Sequence, residues 1–440
     1  VPEADPFLAP LEEVDPDVAA AIDAELDRER ATLDLIASES VAPRAVIEAQ
    51  GSVLTNKYAD GYPGRRDYDG CEWVDAVEQL AIERATALFG ADHANVQPYS
   101  GSSANAAVLH ALCEPGDVVL GFDFEHGGHP THYGAETFAG RFYRGVAYHV
   151  RPGDRLVDMD EVADLARAHR PKVIFAGWSC YPRHLDFPAF RAIADEVGAF
   201  LVVDMAHFAG LVAAGVHPDP VALADACTLT THKTLGGARG GAILCRKELA
   251  ALVDAAVYPG EQGSPLPPVM AGKAVTFLLA ATEAFRERMR RVVDGARALA
   301  EALAGAEART GAVVVTGGTD VHQVLLDLSP GRRSAAEGLA LLHALHANAN
   351  AIRLAYDPAE PPGASGLRLG TVALAARGLG PAQFEEIGEV LVDALSPEPP
   401  LRECAARVER ILARFPLYPD RGARPARPAR PVGGGRLPHG

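Results

Sequence analysis

Between about residues 95 and 245 the chain alternates short apolar runs with amphipathic stretches. This alternation constrains the fold more than any other feature. Residues 118–122, 172–177, 200–204 and 227–231 read as strands, and 103–112 and 190–197 as helices. Strands about 25–30 residues apart, with helices between them, predict an α/β fold with a parallel sheet, because a parallel pair needs a long crossover. From about 280 onward come helical stretches (283–304 and 335–347), strand candidates at 313–315 and 321–327, and a last helix near 381–395. That pattern predicts a smaller C-terminal α/β domain. Residues 15–30 read as an N-terminal helix.

The expected organisation is an N-terminal arm over 1–50, a large domain over 51–285, a small domain over 286–420 and a tail over 421–440. The tail is rich in Pro, Gly and Arg and poor in core formers, so it reads as a solvated, disordered segment. With 440 residues, 48% hydrophobic and 22% charged, the chain can bury a large core without disulfides or metals. Its six cysteines are scattered without a C-x-x-C pair, which suits buried small hydrophobes. No run of about 18 apolar residues lacks charge or Pro, so no membrane span is expected. The net charge of −17 is opposite in sign to a nucleic-acid footprint. The opening run VPEADPFLAPLEEVDPD lacks a signal-peptide profile, and a cytoplasmic protein is expected.

Four local signals carry chemistry. In Thr230-Thr231-His232-Lys233-Thr234-Leu235-Gly236-Gly237 a strand ends in hydroxyls, a lysine and a Gly-rich loop. A lysine just past a strand's carboxyl end lies where open α/β sheets bind ligands, and a lowered pKa makes it a Schiff-base nucleophile. The strand 200–204 ends in Asp204, which the βα spacing brings to the same sheet edge. An Asp there could hold a ribose, a metal or a pyridinium nitrogen; with a neighbouring lysine it meets what pyridoxal phosphate requires. Tyr99-Ser100-Gly101-Ser102-Ser103 opens a helix, either as an ordinary N-cap or as a phosphate cup. His126, His129 and His132 are spaced by three, but Gly-Gly and Pro argue against one helical face, and no Cys or acid lies at ligand spacing. An imidazole stacked on a cofactor ring fits better than a metal site, and no metal is expected.

On these motifs the chain resembles the serine hydroxymethyltransferase family, pyridoxal-phosphate-dependent transferases of the aspartate aminotransferase fold (fold type I), with a large mixed-sheet domain and a smaller C-terminal α/β domain. LIASES (35–40), NKYADGYPGRRDYDG (56–70), VQPYSGSSAN (96–105), HGGHPTH (126–132), VVDMAHFAGLVAAG (202–215), TTHKTLGGARGG (230–241), YPGEQGSPL (258–266) and SGLRLGT (365–371) carry the resemblance. It implies a catalytic set of Lys233, Asp60, Tyr68, His129, His207 and Thr230. It implies cofactor contacts from Ser100, Gly101, Ser102, His129, Ser179, Asp204, His207, His232 and Lys233, with Gly263 donated by a partner subunit. In the resemblance His207 and Ser179 would lie by the cofactor's phenolic oxygen and Asp204, and Thr230 and Arg239 would support the lysine. Arg368, Ser38 and the partner's Tyr58 would clamp the substrate carboxylate, Arg through its bidentate fork. An obligate homodimer with shared active sites follows from the same resemblance.

The sequence departs from the family on the folate side of the pocket. Asp60 stands for the family's Glu, Asp67 for a tyrosine, Pro130 and Phe124 for leucines, and Tyr356 precedes Asp-Pro. These departures make tetrahydrofolate doubtful and point first to an L-threonine transaldolase, passing a glycyl unit from threonine to an aldehyde. The alternative is a tetrahydrofolate-dependent serine or α-methylserine hydroxymethyltransferase. Small-molecule amino acid and aldehyde substrates are expected. A non-catalytic paralogue is disfavoured by the intact Lys233, Asp204, His129 and Arg368.

Overall fold

The computed structural model describes residues 5–357 and 363–419. The expected tail at 421–440 lies outside the described residues. A seven-stranded sheet runs in the spatial order His93–Asn95, Gly241–Cys245, Ala226–Thr230, Phe200–Asp204, Val173–Gly177, Val118–Phe122, Arg144–Tyr148. Its last five strands in that order are mutually parallel, whereas Gly241–Cys245 is antiparallel to both its neighbours. The sheet is therefore mixed, as fold type I expects.

Helices cover both faces, which is why the strands read as unbroken apolar runs instead of alternating ones. Val173, Phe175 and Val202 pack on one side with Ala104, Val108 and Leu112 of helix Gly101–Leu112. Ile174, Ala176, Leu201 and Val203 pack on the other side, with Phe187, Phe190 and Ala194 of helix Phe187–Val197. The period-two alternation of side chains thus divides one strand between two core layers.

A second, four-stranded antiparallel sheet follows in the order Val313–Val314, Gln323–Asp327, Gly366–Gly370, Asn350–Ile352. Helices Glu283–Ala304 and Pro381–Ala394 pack together beside it, closely enough that a Cβ on Gly295 would lie 2.3 Å from Phe384.

Several elements differ from expectation. The helix expected over 335–347 stops at His343, because Ala347–Asn348 pairs in parallel with Leu33–Asp34. The helix near 381–395 is not the last. Beyond the Pro-rich break, Leu401–Arg414 buries Cys404, Val408, Ile411 and Leu412 on one face. Strands His93–Asn95, Arg144–Tyr148 and Gly241–Cys245 were absent from the expected set. Among the described residues no single helix is long and apolar enough to cross a bilayer.

The helix contact at Gly295 is testable. Gly295→Val forces a branched side chain into the Phe384 ring and should cost about 1–3 kcal/mol. The check is the urea midpoint at constant m; an unmoved midpoint would refute this packing.

Candidate active site

Strand Phe200–Asp204 delivers Asp204 to the carboxyl edge of the large sheet, in register with Gly177 on one side and Thr228 on the other. The carboxylate is buried and accepts three hydrogen bonds, which leaves Oδ1 a further acceptor site. Oδ1 accepts from the Ala206 N–H at 2.9 Å; Oδ2 accepts from Asn105 Nδ2 and from His132 Nε2, each at 2.9 Å. Burial alone would raise this carboxyl. The hydrogen bond and field of His132, the field of His129 and the Asn105 bond outweigh it and hold the group well below the usual carboxylate range. Asp204 is thus an ionised carboxylate in a dry site.

Asn105 extends the network. Its Oδ1 accepts from Thr228 Oγ1 at 2.6 Å, and its Nδ2 also donates to Thr131 Oγ1 at 3.0 Å. Thr131 in turn meets His129 Nδ1 through its hydroxyl at 2.7 Å and its backbone N–H at 3.3 Å. A backbone N–H can only donate, so Nδ1 of His129 carries a lone pair and Nε2 carries the proton. Burial, the neighbouring His132 and Lys233 lower His129 to about 4, so the ring is neutral at pH 7.

Lys233 follows strand Ala226–Thr230 by three residues, in the loop that returns as strand Gly241–Cys245. Among the described residues none offers its Nζ a hydrogen bond. Burial lowers the amine, Asp204 raises it, and Arg368 and Arg239 lower it again, to about 8. The amine therefore loses its proton well below the range of an exposed lysine.

Ser100 caps helix Gly101–Leu112, its Oγ accepting from the Ser103 N–H at 3.0 Å. The N–H groups of Gly101 and Ser102 have no partner among the described residues, as first-turn amides lack one within the helix. Such an end attracts an anion. Thr230 donates its hydroxyl to Ala206 O at 2.9 Å and sets its methyl 2.8 Å from where a Cβ on Gly101 would stand. His232 Nδ1 accepts from the Gly240 N–H at 3.4 Å, and Arg239 is exposed.

Arg368 comes from the second sheet, on strand Gly366–Gly370. Its guanidinium is aimed by Asn350 Oδ1 (from Nε at 3.2 Å and Nη2 at 2.8 Å) and by the Ser179 carbonyl (from Nη1 at 2.8 Å). Ser179 N–H donates to Gly127 O at 2.8 Å, tying the His126–His129 loop to the same point. Gly127 has φ +120°, and a Cβ there would lie 2.3 Å from Cys180 O, so this loop requires glycine. Gly370 N–H donates to Leu35 O at 2.7 Å, which runs the segment bearing Ser38 beside the Arg368 strand. A cavity of about 350 Å³ opens here, lined by Phe124, Ser179, Val315, Asn350, Leu354 and Arg368.

His207 is buried, its Nδ1 3.4 Å from His322 Nε2, and both rings stack with Trp178. Burial and the nearby Lys233 and Arg368 charges keep both imidazoles neutral. Neither His207 nor Ser179 bonds Asp204; His132, Asn105 and the Ala206 amide occupy that carboxylate instead.

The predicted residues fall into two groups. Lys233, Asp204, His129, His207, Arg368, Ser179, Thr230 and the Ser100–Ser102 turn surround one place. Tyr58, Asp60, Tyr68 and Gly263 form another. Tyr58 and Tyr68 meet edge to face at 5.0 Å and are 53% and 47% exposed. Gly263 is exposed, with nothing near a Cβ built on it. Asp67 accepts from Tyr258 Oη at 2.7 Å, and its N–H donates to Asp60 O at 3.1 Å. Asp60 Oδ1 is buried with no partner among the described residues.

Asn105, Thr131, His132 and His322 were not assigned roles from the sequence. The first three lie inside motifs quoted above; only their side-chain types could have marked them. Among the described residues no group of three or more His, Cys, Asp or Glu converges as a metal would need.

A family model described as serine hydroxymethyltransferase matches residues 11–391. A serine hydroxymethyltransferase of Clavibacter michiganensis subsp. michiganensis is 55% identical over 414 residues, covering 94% of this chain and 97% of its own. One from Kineococcus radiotolerans is 55% identical over 415 residues, covering 94% and 96%. Serine hydroxymethyltransferase 2 of Mycobacterium tuberculosis is 55% identical over 410 residues, covering 92% and 96%.

The Lys233 environment predicts a pH dependence. Reductive methylation of Lys233, read by mass spectrometry of its peptide, should rise through about pH 8. An ordinary exposed lysine responds only near its reference value of about 10.4. A Lys233 profile matching exposed lysines would contradict the described environment.

Proposed function

Because this chain belongs to the serine hydroxymethyltransferase family, we propose that it moves the hydroxymethyl carbon of L-serine to tetrahydrofolate, giving glycine, methylenetetrahydrofolate and water, with pyridoxal 5′-phosphate as cofactor. The observation that carries this reading is 55% identity, across 94% of the chain, to a protein named for that activity.

The donor set fits the cofactor. Lys233 offers an amine lowered to about 8 with no competing hydrogen bond among the described residues. Asp204 offers an ionised carboxylate for a pyridine nitrogen. His129 offers a neutral ring of fixed tautomer. Gly101 and Ser102 offer amides for a phosphate. Once bound, pyridoxal phosphate supplies an electron sink for the pair released when a bond at the amino acid's Cα breaks. Asp204 would keep the proton on the ring nitrogen, because an ionised carboxylate favours the charged form of its partner. Arg368 would take the amino acid's carboxylate, held in aim by Asn350 and the Ser179 carbonyl. Neutral His207 could accept or return the proton of the substrate hydroxyl. The cavity beside Arg368 would receive the folate.

A homodimer accompanies this reading. Helix Pro16–Ala31 buries none of its residues, although Val18 and Ile22 are exposed on it. Tyr58, Tyr68 and Gly263 lie at the surface beside the unpartnered Asp60 Oδ1. A second copy would cover the apolar arm and use those residues to complete its own site.

The L-threonine transaldolase first expected from the folate-side departures ranks second. One observation favours it: the Asp67 carboxylate, where the family carries tyrosine, is engaged by Tyr258. The relatives named above are all hydroxymethyltransferases. Serine cleavage should require tetrahydrofolate. Folate-independent release of acetaldehyde from threonine, with no turnover of serine, would reverse the order. Arg368→Ala should raise KM for the amino acid on the order of a hundredfold while the visible absorbance of bound cofactor persists. An unchanged KM would remove Arg368 from the clamp.

A further inference from the structure

Lys273 lies within helix Pro267–Ala280 and is 1% exposed. Its Nζ donates to three backbone carbonyls: Val96 at 2.6 Å, Gly241 at 2.8 Å and Pro98 at 2.9 Å. Three acceptors need three N–H bonds, and only the ammonium has three. A neutral amine would turn its lone pair toward one of the oxygens. The side chain is therefore bonded as a buried ammonium to three carbonyls, with no carboxylate bonded to it. Burial lowers the amine to about 7, and the field of Glu78 raises it only in part.

The carbonyls locate this charge. Val96 and Pro98 lead into the turn that opens helix Gly101–Leu112. Gly241 N–H donates to Pro98 O at 3.0 Å, and a Cβ on Gly241 would lie 2.2 Å from Ser100 O and 3.1 Å from Gly101 N. A Cβ on Gly240, at the end of the Lys233 loop, would lie 2.9 Å from Lys273 Nζ. The ammonium thus stands directly behind the turn that presents the Gly101 and Ser102 amides. Carbonyl oxygens repel an anion, and these are taken up by the lysine.

We propose that Lys273 is a positioning residue for the cofactor's phosphate: it fixes the turn before Gly101 and adds a buried positive charge to the helix N-terminus. This rests on the cofactor reading above. The helix alone supplies only about half an elementary charge, against a group carrying nearly two.

Several other charged groups face Lys273. Glu78, on helix Glu72–Phe89, is paired with Arg66 and accepts from Gln97 Nε2 at 2.8 Å. Arg84 on the same helix donates to Ala274 O. Helix Arg44–Gln50 presents only the exposed Arg44–Glu48 pair. From the lysine loop come Arg239 and His232, the latter lowered to about 4 and so silent above neutrality.

The test compares pyridoxal phosphate with pyridoxal, which lacks the phosphate, by titrating each into cofactor-stripped protein and following visible absorbance. Lys273→Met should weaken pyridoxal phosphate roughly ten- to a hundredfold and pyridoxal by less than about threefold. Equal losses, or none, would overturn the proposal. The unmodified protein gives a second reading that needs no variant. Both ligands share the aldehyde, so the contribution of Lys233 cancels in the ratio of their affinities. Above about pH 7 the phosphate is already a dianion, and the preference for the phosphorylated ligand should fall as the ammonium titrates. A flat ratio would refute the role of the charge. If the unmodified protein binds neither ligand, the cofactor reading itself fails, which is a separate outcome.

Discussion

One buried negative charge organises the centre of this molecule. Asp204 is removed from water and remains ionised, and such a group persists only when its oxygens are satisfied. The three donors that satisfy it come from three parts of the chain: a helix (Asn105), a loop (His132) and the turn after its own strand (Ala206). Each donor is fixed by something further out. Asn105 is oriented by Thr228, and His132 lies flat on Phe175 at 4.6 Å. The charge therefore dictates side chains on adjacent strands, and through Asn105 and Thr131 it reaches the tautomer of His129.

The second sheet contributes a guanidinium to the site. Arg368 approaches from strand Gly366–Gly370, while the lysine and carboxylate belong to the large sheet. Its contact with the Ser179 carbonyl is one joint between the two, beside the Gln323–Tyr181 bond and the Arg183–Asp320 pair. Because Ser179 also donates to Gly127, one peptide holds both the arginine and the loop that ends in His129.

Much of this was legible in the sequence, for identifiable reasons. Parallel strands buried on both faces are continuous apolar runs, so 118–122 and 200–204 were located to the residue. Asp204 and Lys233 interrupt such runs at their carboxyl ends, where a polar residue has little structural excuse. Arg368 was reachable only through family resemblance, since its partners are a carbonyl and an amide from distant segments. Asn105 and Lys273 were opaque. Each sits mid-helix, where one polar residue looks like part of a solvated stripe, and only the packing of neighbouring elements shows it to be buried. The direction of strand Gly241–Cys245 was likewise hidden, because period and composition carry no sign.

That reversed strand has a consequence for how the chain assembles. Parallel neighbours in the large sheet are joined through crossovers, and His93–Asn95 pairs with residues some 150 positions away. The pairing of Ala226–Thr230 with Gly241–Cys245 is closed by a single short loop, and that loop carries Lys233. It is the shortest-range strand contact in this sheet, and loop-closure entropy grows with the length enclosed. Lys233 is thus mounted on the most local unit of a topology that is otherwise assembled from distant parts.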